Sequence, residues 1–151
     1  MGKLVTIEEA KGIEKPFIFD TCVLIDAYNE LKKGEGPTKR YLDNIPRGRR
    51  TTTVVNLFEF AFVEDVPREE MEKCERWLKD YGIRVLALSK KASETFQILS
   101  RIHKPPNKFL ADMLIASISL VEGGVLATRN IVHFEKIKGL FLVSEFAVEK
   151  I

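Results

Sequence analysis

The sequence predicts an α/β fold in which a parallel sheet of about five strands lies between two layers of helices. Short β-rich or apolar segments alternate along the chain with segments whose apolar residues recur at helical spacing. Strands that alternate with helices are joined by right-handed crossovers, which give a parallel sheet with helices on both faces. No linker, repeat or low-complexity segment divides the 151 residues, so we predict a single domain over 1–151.

The predicted elements follow from this alternation. The predicted strands cover residues 17–20, 51–55, 83–88, 125–128 and 140–143. The predicted helices cover residues 22–33, 38–45, 56–65, 68–81, 89–103, 108–122 and 130–137, with a further short helix after Ser144. The clearest helix is 108–122, because its apolar residues fall at helical spacing between Asn107, a candidate N-cap, and Gly123, a stop signal.

Composition argues against several classes of protein. The 24 basic and 22 acidic residues nearly balance, and basic clusters such as "RGRR" at 47–50 are more often solvated surface than nucleic-acid contacts. Cys22 and Cys74 form no CxxC pair, which fits a reducing compartment and argues against a structural zinc site. No apolar segment has the length of a signal peptide or a membrane span, so we expect a cytoplasmic protein without a membrane partner.

Three carboxylates stand near the junctions of predicted strands and helices. Asp20 ends the first strand in "FIFDTCVL", Glu59 lies in the first turn of the helix after the second strand, and Asp112 lies early in helix 108–122. The carboxyl ends of parallel strands share one edge of the sheet, where open α/β folds bind their ligands. We therefore expect Asp20 and Glu59 to converge, whereas spacing alone does not place Asp112 beside them.

Each carboxylate also has a purely structural interpretation. Asp20 or Thr21 is able to cap the following helix, Asn56 and Glu59 fit a capping box, and Asp112 near a helix start is favourable to the helix dipole. As a set, however, the three acids repel one another unless a cation neutralises them. An oxygen-only cluster without His or Cys suits Mg²⁺ or Mn²⁺ rather than zinc.

Three segments of the chain resemble the PIN domain, and most closely the small VapC-type toxins. The segments are "FIFDTCVLIDAYNE", "TTTVVNLFEFAF" and "NKFLADMLIASISLVEGGVLATRNIVHFEKIKGL". The resemblance spans residues 17 to 143. It implies a three-layer α/β/α fold, a Mg²⁺- or Mn²⁺-dependent ribonuclease activity on RNA and, in toxin members, an antitoxin partner.

The resemblance also implies roles for individual residues. The implied catalytic and metal-binding residues are Asp20, Glu59 and Asp112, and the implied supporting residues are Thr21, Asn56, Thr128 and Asn130. Asn130 matches a family position that is often Asp, so three formal charges stand where four are possible. Arg129 is a candidate RNA contact, with a salt bridge as the alternative. Asp26 recurs in the opening segment, but six residues along a helix we expect it to face elsewhere.

Other chemistries fit the sequence less well. Cys22 follows the first strand closely, but both histidines are far along the chain, so we do not expect a cysteine nucleophile. We expect His133 to be a surface or packing histidine rather than a base. Haloacid-dehalogenase phosphatases need a second Asp where this chain has Cys22, and that interpretation is rejected.

The favoured function is a metal-dependent endoribonuclease that acts as the toxin of a VapBC-type pair. The alternatives are a non-catalytic RNA-binding or regulatory PIN module and an rRNA-processing nuclease without an antitoxin. The early helices carry more apolar residues than one helix face buries, namely Leu24, Tyr28, Leu31, Tyr41, Leu42, Phe58, Phe60 and Phe62. This surplus predicts an antitoxin groove or a homodimer interface of about 800 Å² per partner.

Overall fold

A computed structural model describes residues 1–61 and 67–144, and within them six strands form one sheet whose neighbours are all parallel. The strands are β1 (Lys3–Leu4), β2 (Phe17–Phe19), β3 (Arg50–Thr53), β4 (Arg84–Leu86), β5 (Val125–Ala127) and β6 (Phe141–Val143). Their order across the sheet is β1-β6-β5-β2-β3-β4. The predicted parallel sheet is confirmed, and the additional strand is β1, an exposed two-residue edge strand without an apolar pattern.

Eight α-helices connect the strands within the described ranges. They are α1 (Ile7–Gly12), α2 (Thr21–Lys33), α3 (Pro37–Asp43), α4 (Val54–Ala61), α5 (Arg68–Asp80), α6 (Lys90–His103), α7 (Leu110–Glu122) and α8 (Ile131–Phe134). Helix α1 is absent from the sequence prediction, and α8 is shorter than predicted. Residues 62–65 of the predicted fourth helix and the predicted helix after Ser144 lie outside the described residues. No helix of the described chain is long and apolar enough to cross a membrane.

Alternation along the central strands divides the core into two layers. Phe17 and Phe19 of β2 are buried in one cluster with residues of α1 to α5, whereas Ile18 between them is buried in a second cluster with residues of α6, α7 and α8. Because successive side chains of a strand point to opposite faces, β2 contributes to both clusters. The predicted three-layer α/β/α arrangement is therefore confirmed. The single domain over 1–151 stays a prediction.

The strand order places a crevice beside β2. From β2 the chain continues to β3 and β4 on one side of the sheet, and after α7 it returns to β5 and β6 on the other side. In open α/β sheets, ligands bind at such a switch point, outside the carboxyl ends of the strands. Asp20 follows β2 and Thr128 follows β5, so both residues lie at this crevice.

The arginines of the "RGRR" cluster bind backbone carbonyls, and their exposure falls from Arg47, which is exposed, to Arg50, which is buried. Arg49 donates hydrogen bonds to the carbonyl groups of Lys11 and Lys15, and Arg47 donates to the carbonyl of Asp80 at 2.8 Å. Arg50 is 7% exposed and donates to the carbonyls of Ile45 and Tyr81. The three guanidinium groups satisfy backbone carbonyls around the amino end of β3. The surface interpretation is therefore wrong for Arg50 and holds for Arg47.

A substitution of Gly124 tests the close packing around the residue that precedes β5. A Cβ atom at this position would lie 2.7 Å from the carbonyl oxygen of Pro16 and 2.7 Å from Cδ1 of Ile18. We expect Gly124→Ala to lower the free energy of unfolding by about 1–3 kcal/mol, the usual cost of overpacking. Gly12→Ala is the matched control, since a Cβ there meets nothing within 4 Å. Urea denaturation measures both variants, and equal stability of the two would contradict this packing argument.

Candidate functional site

Asp20 lies at the centre of the candidate site and is 4% exposed. Its Oδ1 accepts hydrogen bonds from the backbone N–H of Thr21 and from Nδ2 of Asn56, both at 2.9 Å. Its Oδ2 accepts a hydrogen bond from the hydroxyl of Thr128 at 2.6 Å. Asp20 is the N-cap of α2, so the capping interpretation is confirmed. Capping does not exclude a role in a site, because the same carboxylate also joins β2 to the ends of β3 and β5.

Asn56 connects Asp20 to the start of α4. It is completely buried, and its Nδ2 donates to Oδ1 of Asp20 and to the hydroxyl of Thr21 at 3.0 Å. Its Oδ1 accepts from the hydroxyl of Thr53 at 2.7 Å, and its backbone N–H donates back to that hydroxyl oxygen at 3.2 Å. All the polar atoms of the Asn56 side chain therefore have partners, which fixes the orientation of the amide.

The capping-box interpretation of Asn56 and Glu59 is wrong. Helix α4 begins at Val54 rather than at residue 56, and the hydroxyl of Thr53 caps it by accepting from the Asn56 N–H. Glu59 therefore lies in the second turn, where its carboxylate is too far along the helix to reach the capping position. Its Oε1 instead accepts a hydrogen bond from the hydroxyl of Thr21 at 2.7 Å.

Asp112 lies in the first turn of α7, as predicted, and contacts a histidine. Its Oδ2 is 2.9 Å from Nδ1 of His133, which lies on α8, and the ring of His133 packs 5.0 Å from the ring centroid of Phe109. The expectation that His133 is a surface or packing residue therefore captures its exposure and its ring contact but misses its bond to Asp112. The hint in the sequence is its position in a helix that starts just after β5, at the same sheet edge as Asp20.

The three carboxylates interact electrostatically, so the fold brings them to one place. Partial loss of hydration raises the pKa of Glu59, and the nearby charges of Asp20 and Asp112 raise it further against the lowering effect of the Thr21 hydrogen bond. Burial raises the pKa of Asp112 as well; His133 lowers it and Asp20 raises it. Helices α4 and α7 pack together, which decides the placement of Asp112 that spacing left open.

The donor set fits a hard divalent cation in its chemistry. No lysine or arginine within the described residues forms an ion pair with Asp20, Glu59 or Asp112. The described part of the chain contains no group of three His, Cys, Asp or Glu side chains close enough to enclose one metal ion together. Mg²⁺ does not need such a cage, because it usually keeps several waters and binds one or two carboxylates.

Thr128 and Asn130 follow β5, whose last residue is Ala127 rather than the predicted Thr128, and they contribute in different ways. The Thr128 hydroxyl donates to Asp20 and accepts the backbone N–H of Asn130 at 2.9 Å. Asn130 precedes α8, and its exposed side chain makes no capping hydrogen bond. Thr128 thus orients the central carboxylate directly, whereas the structure shows only the backbone of Asn130 in this network.

Arg129 forms the salt bridge that was the alternative to an RNA contact. Its Nη1 lies 3.1 Å from Oδ2 of Asp26 on α2. The charges that act on the Asp26 carboxylate are those of Arg129 and Glu30, and it interacts with none of the three clustered acids, in keeping with the expectation that it faces elsewhere. The Arg129 side chain remains 46% exposed, which leaves part of the guanidinium accessible.

Cys22 touches the site without the character of a nucleophile. Its Sγ lies 3.9 Å from Oδ2 of Asp20 and accepts the backbone N–H of Arg129 at 3.4 Å. Burial is the main cause that raises the pKa of the Cys22 thiol above its ordinary value, and the charge of Asp20 adds to it. A protonated thiol is a poor nucleophile, so this geometry agrees with the expectation against cysteine catalysis.

Asn56→Ala tests the hydrogen-bond network around Asp20. The substitution removes the amide that donates hydrogen bonds to Asp20 and Thr21 and accepts one from Thr53. We therefore expect a loss of about 1–3 kcal/mol in the free energy of unfolding. Asn44→Ala is the control, because the Asn44 amide makes an exposed bond to the Arg40 carbonyl and its loss should cost under about 0.5 kcal/mol. Chemical denaturation without metal compares them; similar losses would count against a central role for Asn56.

Glu59→Gln tests whether the charge on Glu59 costs stability, through its loss of hydration and through repulsion by Asp20 and Asp112. The raised pKa of Glu59 means that the folded protein binds its proton more tightly than the unfolded chain does, so stability falls as pH rises through this group's titration. At neutral pH in EDTA, the neutral Gln should therefore melt at a higher temperature than the wild type. The difference should vanish below about pH 4, where Glu59 is protonated in both states. A lower melting temperature for Glu59→Gln than for the wild type at neutral pH would contradict the expectation that a charged Glu59 destabilises the fold.

Comparisons with known proteins identify the family. The family model described as the PIN domain matches residues 17–140. A toxin-antitoxin complex from Klebsiella pneumoniae has a TM-score of 0.63 and 21% identity, covering 88% of this chain and 99% of that chain. VapBC2 from Rickettsia felis bound to promoter DNA has a TM-score of 0.61 and 20% identity, covering 83% and 96%. VapBC-1 from nontypeable Haemophilus influenzae has a TM-score of 0.67 and 18% identity, covering 85% and 97%.

These solved structures share the fold at low sequence identity, and no curated protein sequence gives a significant match. The family model spans most of the chain, including all three carboxylates. The chain belongs to the PIN-domain family.

Proposed function

We propose that this protein is a metal-dependent endoribonuclease and the toxin of a VapBC-type toxin–antitoxin pair. The observation that carries the proposal is the convergence of Asp20, Glu59 and Asp112 at the switch point of the sheet, without a lysine or arginine of the described chain to neutralise them. Membership of the PIN family supports nuclease chemistry at this place. RNA as the substrate is part of the proposal.

The three carboxylates are the proposed ligands of Mg²⁺ or Mn²⁺, directly or through water. When bound, such an ion would stabilise charge on a phosphate oxygen and activate water for hydrolysis. Carboxylate oxygens are the ligands that both ions prefer. Burial is the main cause of the raised pKa values of Glu59 and Asp112, and neighbouring carboxylates raise them further. Both causes disfavour the charged forms, which a bound cation would stabilise.

The neighbouring polar residues hold these carboxylates in place. Asn56 and Thr128 orient Asp20, the Thr21 hydroxyl orients Glu59, and Nδ1 of His133 orients one oxygen of Asp112. Fixed ligands lower the cost of assembling the reacting groups, because little reorganisation remains when substrate binds. We propose that the exposed part of Arg129, anchored by Asp26, contacts a phosphate of the RNA at the rim.

The antitoxin and the homodimer remain part of the proposal. The solved structures that share this fold include complexes of toxins with antitoxins, which supports a similar partner here. Most of the apolar surplus of the early helices belongs to the core, since Leu24, Leu42 and Phe60 are buried and Tyr28 and Tyr41 pack against the same cluster. Phe58 is 62% exposed and Leu31 is 37% exposed, so an apolar contribution to an interface is available on α4 and α2. Phe62 lies outside the described residues.

Two observations favour the non-catalytic alternative. Oδ2 of Asp112 is bonded to His133, and Asn130 provides no carboxylate at the fourth family position. A regulatory PIN module would retain RNA binding at this edge without cleavage. The rRNA-processing alternative shares the proposed chemistry and differs only in having no antitoxin.

Cleavage assays separate these functions. We expect the purified protein to cut single-stranded RNA with Mg²⁺ or Mn²⁺ and to lose this activity in EDTA. Asp20→Asn, Glu59→Gln and Asp112→Asn should each reduce the cleavage rate more than about 100-fold, because loss of even an outer-shell partner typically costs about 10- to 100-fold. Asp43→Asn is the control, since the exposed Asp43 carboxylate pairs with Lys39 on α3, outside the carboxylate cluster.

Three outcomes would count against the proposal or part of it. Persistent cleavage by pure protein in excess EDTA would exclude the metal mechanism. RNA binding without cleavage under every metal condition would favour the non-catalytic module. Intact cleavage by Glu59→Gln would remove Glu59 from the site and leave two carboxylates.

A further inference from the structure

A cavity of about 330 Å³ opens directly beside the acidic cluster, on the side of α6, α7 and α8. Asp112 and His133 form part of its wall, so the cavity and the carboxylate cluster share a border. Its volume lies at the lower end of the range of about 300–1,000 Å³ that is typical of small-molecule pockets. Helices α6 and α7 pack extensively on each other, and the cavity opens at the turn between them.

The wall of this cavity is mostly apolar and carries two rings. The rings of Phe109 and His133 have centroids 5.0 Å apart and planes inclined at 61°. Pro105 and Pro106 line the cavity next to them, and Met113 is a nearly buried lining residue. Flat, π-bearing groups stack on such aromatic side chains, and each nucleobase has a π-face.

The turn between α6 and α7, which contributes part of the cavity wall, has a restricted backbone conformation. Lys104 ends α6 in the left-handed conformation at φ 44°, with its N–H bonded to the Ser100 carbonyl at 2.9 Å. Two prolines follow, and the backbone N–H of Phe109 donates to the carbonyl of Pro106. Because proline restricts φ and the turn is closed by hydrogen bonds, Phe109 is held in place before any ligand binds.

Two lysines give the cavity positive charge at its exposed side. Exposed Lys136 lines the cavity, and Nζ of Lys108 lies 5.0 Å from the ring centroid of the lining residue Phe109. Lysines beside aromatic rings suit a nucleic-acid strand, since the charges follow the phosphates while the rings hold a base. An apolar peptide segment would gain nothing from the two lysines, which is why the charge favours a nucleotide.

We propose that this cavity binds one nucleobase of the RNA, adjacent to the phosphate that is positioned at the carboxylate cluster. The assignment rests on the proposed function for the identity of the polymer. The shared border at Asp112 and His133 places the base within one nucleotide of the site of hydrolysis. The cavity would therefore determine which nucleotide stands next to the cut.

Methionine methyl NMR tests the cavity independently of catalysis. The chain has three methionines, of which Met113 lines the cavity and Met71 lies on α5 in the opposite helical layer. In EDTA, adenosine, guanosine, cytidine and uridine are titrated separately into protein labelled at the methionine methyl groups. We expect at least one nucleoside to shift Met113 with saturation at millimolar concentrations, typical of a small weak ligand, while Met71 is unchanged.

Phe109→Leu tests the stacking surface, because it retains an apolar side chain but removes the ring. We expect the nucleoside affinity to fall about tenfold, in line with the contribution of one stacked base. Phe96→Leu is the matched control, since Phe96 is also a half-buried phenyl of this helical layer but does not line the cavity. Its affinity should stay within about twofold of the wild type, given that it leaves the stacking surface intact.

The possible outcomes are distinguishable. Absence of any Met113 shift with all four nucleosides in the wild-type protein would overturn the proposal, and this result needs no variant to fold. A shift of Met113 by N-acetyl-leucinamide but by no nucleoside would assign the cavity to a peptide partner and would equally overturn it. If the nucleosides bind but the protein cleaves no RNA, the proposed nuclease function fails while the base-binding cavity stands.

Discussion

The hydrogen bonds of the Asp20 carboxylate are the interaction on which the rest of the site depends. Through them, the end of β2 is joined to α4 by Asn56 and to the loop after β5 by Thr128. These are the strand ends on both sides of the switch point, so a single buried carboxylate fixes the shape of the crevice. Each close partner is uncharged, and therefore the network orients the carboxylate without neutralising it.

The clustering of the three carboxylates lowers the stability of the fold. Glu59 and Asp112 have raised pKa values because they lose hydration and face other carboxylates, and no lysine or arginine of the described chain pairs with them. A fold selected for stability alone would have separated or paired these charges. Local violations of packing and pairing rules are typical of functional sites, since the binding of a ligand compensates for them.

The two sides of the acidic cluster differ in chemistry. On one side, Asp26 and Arg129 form an exposed ion pair between α2 and the loop after β5. On the other side, Phe109, His133 and the proline turn form an apolar cavity with a basic mouth. A polymer that crosses the crevice would therefore meet a charged border and an aromatic one, which gives the two directions along the strand different environments.

The sequence by itself was enough to predict the α/β architecture and to select the three acids as candidate site residues. Alternating strands and helices are a local signal, because the period of apolar residues follows from backbone geometry, and they imply the parallel sheet and its functional edge. Asp20, Glu59 and Asp112 could be selected because acidic residues stand out within apolar segments. Weak local signals failed: β1 has two exposed residues, and the start of α4 was set by the Thr53 hydroxyl rather than by Asn56.

Only the tertiary structure decided which side chains meet. His133 reaches Asp112, Asp26 reaches Arg129, and the arginines near residue 49 bind loop carbonyls, although nothing in their spacing pairs them. These contacts join residues that are distant along the chain, and their geometry depends on the strand order and on how α7 and α8 pack. A one-dimensional pattern reports the face on which a residue lies, whereas the partner across that face is fixed by the packing of separate elements.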